Sequence, residues 1–292
     1  MAITTSLVAE AAAHILTKAE TEMPRDVIEA LAEAAAKDSS PTARQILNTI
    51  IKNAKIAHEK GTVICQDTCI ASYSVKVGTK SVIEGDIKEG LRLGTEKATY
   101  DIPLIPHSVH PITRKNSGTG TGPRVPLIHF DLIPGADYVE ITVLPVGAGS
   151  EGVSAMKMFS AYDPFSEIKK FIVDTVSSAG AKPCPPIIVG VGLGTQFEMV
   201  GKVAKEAALR PLNARHPEPD IAALEDELLM AVNKLGIGPM GMGGDTTALK
   251  VNVEYGNVHT PNMPVAVKIQ CWAARRASVR LYSDGTAEYF PG

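Results

Sequence analysis

Through the first sixty positions apolar residues recur on a helical period; beyond them the pattern changes to strand-like alternation interrupted by amphipathic helices. Pro24 opens a helix through Val27, Leu31 and Ala35. Ser40-Pro41 reads as an N-cap with proline at the first helical position. That helix carries Ile46, Ile50, Ile51 and Ala54 on one side and stops near Gly61. Strands are predicted at 62–65 and 72–77, followed by a helix over 87–97. Residues 127–132 and 138–144 alternate as strands joined through Pro134-Gly135-Ala136-Asp137. An amphipathic helix over 166–179 is ended by Gly180. A continuously apolar run, 186–191, reads as a buried strand, with helices over 198–209 and 221–235 behind it. Strands at 248–254 and 265–271 complete the pattern. The predicted class is α/β or mixed α+β: a helical N-terminal part, residues 1–60, then a mixed sheet flanked by helices, in one domain over 1–292.

Composition narrows the function. At 292 residues the chain can bury a sizeable core, as one large domain or two lobes. A net charge of −3 with no basic block argues against nucleic acid as a partner. No apolar run approaches the roughly 18 residues that a membrane span needs. Residues 1–20 are alanine-rich and acidic, so no secretory signal is expected. Four cysteines in so long a chain do not form a disulfide scaffold, and a reducing cytoplasm is the expected setting.

Three of those cysteines stand at the edges of apolar runs, in Cys65-Gln66-Asp67-Thr68, Lys182-Pro183-Cys184-Pro185-Pro186 and Ile269-Gln270-Cys271-Trp272. Three thiolates from three distant points can hold a [4Fe–4S] cluster and leave one iron without a protein ligand. Spacing alone does not establish this, because scattered cysteines are usually buried small hydrophobes. Asp67 and Thr68 are equally at home as the cap of a turn. Gly190-Val191-Gly192-Leu193-Gly194 resembles a dinucleotide fingerprint, but Thr195 or Phe197 occupies the third glycine position. The run 238–247 lacks the lysine of a phosphate-binding loop and is expected to turn near the cysteines, with Met240 and Met242 as core fillers. Residues 116–123 are glycine-rich and aperiodic, either a connector or a lid. His129 lies in an alternating strand and has no expected chemical role, while His107, His110 and His216 sit beside prolines with no role to assign.

Longer motifs add to this. Ile64 to Thr68, Gly147-Ala148-Gly149-Ser150-Glu151, Pro183 to Gly192, Arg215-His216-Pro217, Gly236 to Gly241, Gly243 to Leu249 and Gln270 to Arg276 follow one another in a set order. In these, over residues 5–285, the chain resembles the alpha subunit of the two-subunit, class I iron–sulfur fumarate hydratases and L-tartrate dehydratases. The resemblance implies that Cys65, Cys184 and Cys271 ligate a [4Fe–4S] cluster with one iron not ligated by protein. It implies proton transfer by Asp67, a substrate contact from His259, and binding of a substrate carboxylate by Gln66 and the Gly147-Ala148-Gly149 loop. Departures are Val146 for a usual lysine, Cys69 for glycine, and Ile105 for an arginine that binds substrate carboxylate; Arg114 is the candidate substitute. The implied activity is reversible hydration of an unsaturated dicarboxylate, fumarate to malate first. Alternatives are L-tartrate, a methylated acid such as mesaconate, or a non-catalytic redox protein. Single-chain relatives carry a further domain with basic residues and a catalytic threonine, so a separate beta subunit is expected here, in a two-plus-two assembly.

Overall fold

The computed structural model describes residues 1–290, which divide into two compact units. The first comprises Met1–Arg25, Asn53–Gly147 and the segment from Arg275 onward; the second comprises Asp26–Lys52 and Ala148–Ala274.

In the first unit, β1 (Ile70–Gly78) runs parallel to β2 (Leu127–Ile133) and antiparallel to β3 (Tyr138–Val146). β8 (Ala277–Tyr282) and β9 (Ala287–Phe290) extend the sheet to the order β2-β1-β3-β8-β9. Helices α1 (Thr5–Thr21) and α4 (Ile87–Asp101) pack together, and Val8, Ile15 and Leu91 join Tyr73, Val75, Ile141 and Val279 in one core. Each helix starts on a side-chain cap: Thr4 accepts the Leu7 N–H, and Asp86 accepts the Glu89 N–H.

In the second unit, β5 (Ile187–Thr195) has the same pair of neighbours, β6 (Ala248–Val258) parallel and β7 (Asn262–Gln270) antiparallel. β4 (Ala155–Ser160) pairs with β7 at the edge. Val189, Val191, Val251, Val265 and Val267 pack with α6 (Phe165–Ala179) and α8 (Pro219–Asn233). α7 (Phe197–Leu209) packs against the alternate positions of β5: a Cβ on Gly192 would stand 2.5 Å from the Val200 carbonyl oxygen, and one on Gly190 would collide with that of Ala204. Both faces of β5 are therefore buried, which is why its sequence is continuously apolar. Its glycines admit a helix, not a pyrophosphate.

α2 (Arg25–Lys37) and α3 (Pro41–Lys60) complete the helical N-terminal part. Ser40 accepts the Ala43 N–H, as the predicted cap requires, and Gly61 ends α3 with φ 60°.

Three expectations are corrected. Residues 62–65 are not a strand, because their backbone partners belong to helices: Thr62 N–H bonds Ala57, Ile64 N–H bonds Glu20, and Asn53 Nδ2 bonds the Ile64 carbonyl. The connection from β2 to β3, joined through 134–137 as expected, crosses the end of β1, where Lys80 N–H bonds the Ala136 carbonyl at 2.8 Å, so the two strands flank β1. The expected single sheet is two, and β8 and β9 follow what was expected to be the last strand. Met242 is exposed rather than a core filler. Among the described residues no helix is long and apolar enough to cross a membrane.

Candidate functional site

The two units present separate groups of the predicted residues. In the first, Cys65, Gln66 and Asp67 leave α3 through bends and reach β1 within a few residues. Asp67 makes the turn that its residue type permits: its Oδ1 accepts the Cys69 N–H at 3.1 Å. Cys69 sits at φ 66°, the left-handed conformation that suits glycine. The Asp67 Oδ2 faces Gly147, where a Cβ would lie 2.8 Å away, so this glycine allows the backbone to close on the carboxylate. Cys65 is half-buried, with its Sγ 3.4 Å from Gln66 Oε1, and Gln66 is exposed.

Beneath this turn the Arg275 guanidinium donates to the Asp67 carbonyl at 2.9 Å and lies 2.6 Å from the Cys69 Sγ. Its other arm meets Glu20. Burial pushes the Glu20 carboxyl up to about 7, against the opposing pull of Arg275.

Thr68 pins a second segment to the same turn: its Oγ1 accepts the Ile105 N–H at 2.7 Å. Ile105 itself is exposed, and two residues on His107 Nε2 lies 3.5 Å from Asp67 Oδ1. Arg114, the predicted substitute cation, is exposed on a turn at φ 58°, its N–H bonded to the His110 carbonyl. His107 is thus a residue at Asp67 that the sequence did not disclose. Its one local cue, a neighbouring proline, is shared with two other histidines.

The glycine-rich stretch 116–123 is tied down rather than free-standing. Asn116 Nδ2 bonds the Pro106 carbonyl at 2.6 Å, Ser117 N–H bonds the Ser108 carbonyl, and Thr121 donates to Glu96 on α4.

In the second unit, Cys184 precedes β5 and Cys271 follows β7, and the antiparallel pairing of those strands brings the two cysteines to the same end of the sheet. Trp272 N–H donates to the Cys184 carbonyl at 3.3 Å. Cys184 is exposed, at φ 53°, and Cys271 is half-buried. Gly149, at the start of the short helix α5 (Ala148–Glu151), lies against the strand approach: a Cβ there would be 2.8 Å from the Lys182 carbonyl. Ala148 and Gly149 are both exposed. The predicted turn after Gly236 packs beside the cysteines, with Met240 N–H bonded to the Pro185 carbonyl at 2.8 Å.

His259 is elsewhere. It occupies the connection between β6 and β7, and the nine residues of β7 separate it from Cys271 by about 30 Å at a strand rise near 3.3 Å. His216 is buried; its Nδ1 accepts the Glu218 N–H and its Nε2 stands 3.9 Å from Glu254, beside the Arg210 ion pairs to Glu225 and Glu254. That network gives His216 a structural place, while Arg215 pairs separately with Asp226 at 2.8 Å on the surface. Within neither unit do three or more His, Cys, Asp or Glu side chains among the described residues form a metal-binding group. A cleft of about 380 Å³ lined by Val153, Phe171, Thr175, Ser178 and Lys182 holds none of the predicted site residues.

Comparison with known proteins gives these positions a context. The family model described as fumarate hydratase (Fumerase) matches residues 9–280. A Methanocaldococcus jannaschii protein with the provisional name L(+)-tartrate dehydratase subunit alpha is 42% identical over 281 residues, covering 95% of this chain and 98% of the relative. The L(+)-tartrate dehydratase subunit alpha of Escherichia coli strain K12 is 33% identical over 279 residues, covering 96% and 92%. The protein of the same name from Shigella boydii serotype 4 is similar to the same extent.

Proposed function

The chain belongs to the fumarate hydratase (Fumerase) family, and from that premise we propose that it is the alpha subunit of an iron–sulfur hydro-lyase that reversibly adds water to an unsaturated dicarboxylate, fumarate to malate first. One observation carries the reading within the molecule. The Trp272–Cys184 bond sets two cysteines outside any disulfide, from distant stretches of chain, at one end of a sheet, with the Gly149 backbone close by.

The donor set fits such a cofactor. Cys184 is exposed, and Cys65 and Cys271 are half-buried, none of them in a disulfide; soft sulfur ligands of this kind suit an iron–sulfur cluster. Cys184 and Cys271, with Cys65 as the third ligand, would hold it. A [4Fe–4S] cluster with one iron free of protein ligands supplies Lewis acidity toward a substrate carboxylate and the hydroxyl lost or gained.

The chain's own residues do the rest. Asp67 moves the proton at the substrate carbon next to the carboxylate, and its Oδ1 is oriented by the Cys69 N–H. Gln66, exposed beside it, offers its amide to a substrate carboxylate. The Gly147-Ala148-Gly149 backbone approaches the same ligand, since a side chain at Gly147 would crowd Asp67. Arg114 is retained only as an exposed cation for a dicarboxylate. His259, about 30 Å along β7 from Cys271, is kept only as the substrate contact that the resemblance implies.

A separate beta subunit, in a two-plus-two assembly, is proposed to complete the site, in keeping with relatives named as alpha subunits. Four cysteines outside any disulfide suit a reducing cytoplasm. L-tartrate is the second reading, because the relatives are named for it.

The test is anaerobic reconstitution of the chain with its candidate beta subunit, assay of iron and sulfide, and turnover of fumarate, mesaconate and L-tartrate followed by the ultraviolet absorbance of the double bond or by product analysis. Turnover that requires both subunits supports the proposal. Full iron content without turnover of any of the three acids would sink it, and full activity of the chain alone would remove the partner.

A further inference from the structure

We infer that His107 is a positioning residue for Asp67: its imidazole Nε2–H holds the carboxylate oxygen Oδ1, so that Asp67 is presented in one orientation. The inference rests on the reading of Asp67 as the group that moves the proton.

Three observations carry it. The first is proximity: Nε2 lies 3.5 Å from Oδ1, and the same oxygen accepts the Cys69 N–H at 3.1 Å. The two donors approach one carboxylate oxygen, while Oδ2 is the oxygen that faces the Gly147 backbone. The second is burial. The His107 side chain is about a third exposed, but its Nε2 is closed off from solvent and has no hydrogen-bond partner among the described residues. A buried N–H without a partner is costly, and the nearest remedy is a contraction of a few tenths of an ångström onto Asp67. Such bonds are often long in a resting site and tighten with substrate present. Closure from solvent also means that Nε2 itself is not the atom that meets the substrate.

The third observation is the scaffold. The segment 105–108 is gripped from two sides: Thr68 takes the Ile105 N–H at 2.7 Å, and Asn116 and Ser117 bond the carbonyls of Pro106 and Ser108. Thr68 is the residue after Asp67, so the histidine and the carboxylate are registered by one side chain. The glycine-rich stretch 116–123 acts here as the outer half of that grip.

The experiment uses the reconstituted two-subunit enzyme with His107→Leu and His107→Gln, and a second readout that needs no turnover. The expected result is a kcat lowered by about tenfold to a hundredfold in H107L, with KM within about twofold, because a slightly misplaced group slows chemistry without weakening binding. H107Q, which keeps an N–H donor near the Nε2 position, should recover part of the loss. The second readout is the ¹⁵N spectrum of His107. The wild type should show the Nε2–H tautomer, and the His107 signals should move in Asp67→Asn. A rise in KM at constant kcat would overturn the inference in favour of a direct substrate contact, and unaltered kinetics in H107L would overturn it outright. Signals indifferent to Asp67→Asn would also overturn it. Should the enzyme turn over none of the acids, the hydro-lyase reading fails, while the ¹⁵N experiment still decides the pairing.

Discussion

The Arg275 guanidinium and the Glu20 carboxylate meet at 2.6 Å with both side chains shut away from solvent, 1% and 0% exposed. The same guanidinium reaches the Asp67 carbonyl and the Cys69 sulfur, so an ion pair in the core of the first unit supports the turn that carries the proposed chemistry. Arg275→Met should destabilise the fold by about 3–5 kcal/mol, since it strands a buried carboxylate. Glu20→Gln should cost less, because burial already pushes this carboxyl up to about 7 and partial protonation at neutral pH is tolerated. Urea unfolding of both variants checks the order; equal losses would contradict it.

Cys69 lies in the left-handed region at φ 66° with its thiol against Arg275. A non-glycine residue there carries about 1 kcal/mol of backbone strain. Cys69→Gly relieves that strain and loses the sulfur contact, so its melting temperature should stay within a few degrees of wild type. Cys69→Val, β-branched at positive φ, should be clearly destabilised. A valine variant as stable as the glycine variant would show that this turn can rearrange.

Gly192 admits α7 to the face of β5, with room only for a hydrogen where a Cβ would stand 2.5 Å from the Val200 carbonyl. Gly192→Ala must push the helix off the sheet, at a cost of about 1–3 kcal/mol or more from overpacking. Gly201, on the outer side of α7 with open space around it, is the control: Gly201→Ala should be neutral or gain up to about 1 kcal/mol. Thermal melts of the pair test the assignment of the glycine run to packing rather than to nucleotide binding.

Lys205 on α7 is pushed down to about 8 by burial and by the nearby Lys268 ammonium, with Glu151 opposing. The unfolded chain keeps this proton up to its ordinary value near 10.5, so between about 8 and 10.5 the unfolded state binds more protons and stability rises with pH. Discounted for partial exposure, the rise should be about 2 kcal/mol. Lys205→Met should flatten it. Unfolding free energies measured across that window provide the check, and an unchanged slope in the variant would assign the rise to other groups.

The sequence by itself determined the elements whose cues are local. Ser40-Pro41 and Gly61 bound α3 because caps and stops act within a few residues, and 186–191 reads as a strand because burial on both faces leaves a continuous apolar run. The motifs around Cys65, Cys184 and Cys271 likewise announce the family, because each is contiguous in the chain. Which residues share a place was decided by the tertiary structure. β2 and β3 alternate like a hairpin yet flank β1, since nothing in either strand encodes which neighbour takes its backbone bonds. Cys184 and Cys271 come to the same end of the sheet, and His259 to the other end of β7, because an antiparallel register fixes neighbours that sequence separation does not. His107 reaches Asp67 through a clamp spanning thirty-seven positions between Thr68 and Ile105. No pattern of neighbours reveals such a contact, because its geometry belongs to the packed loops and not to the residues one by one.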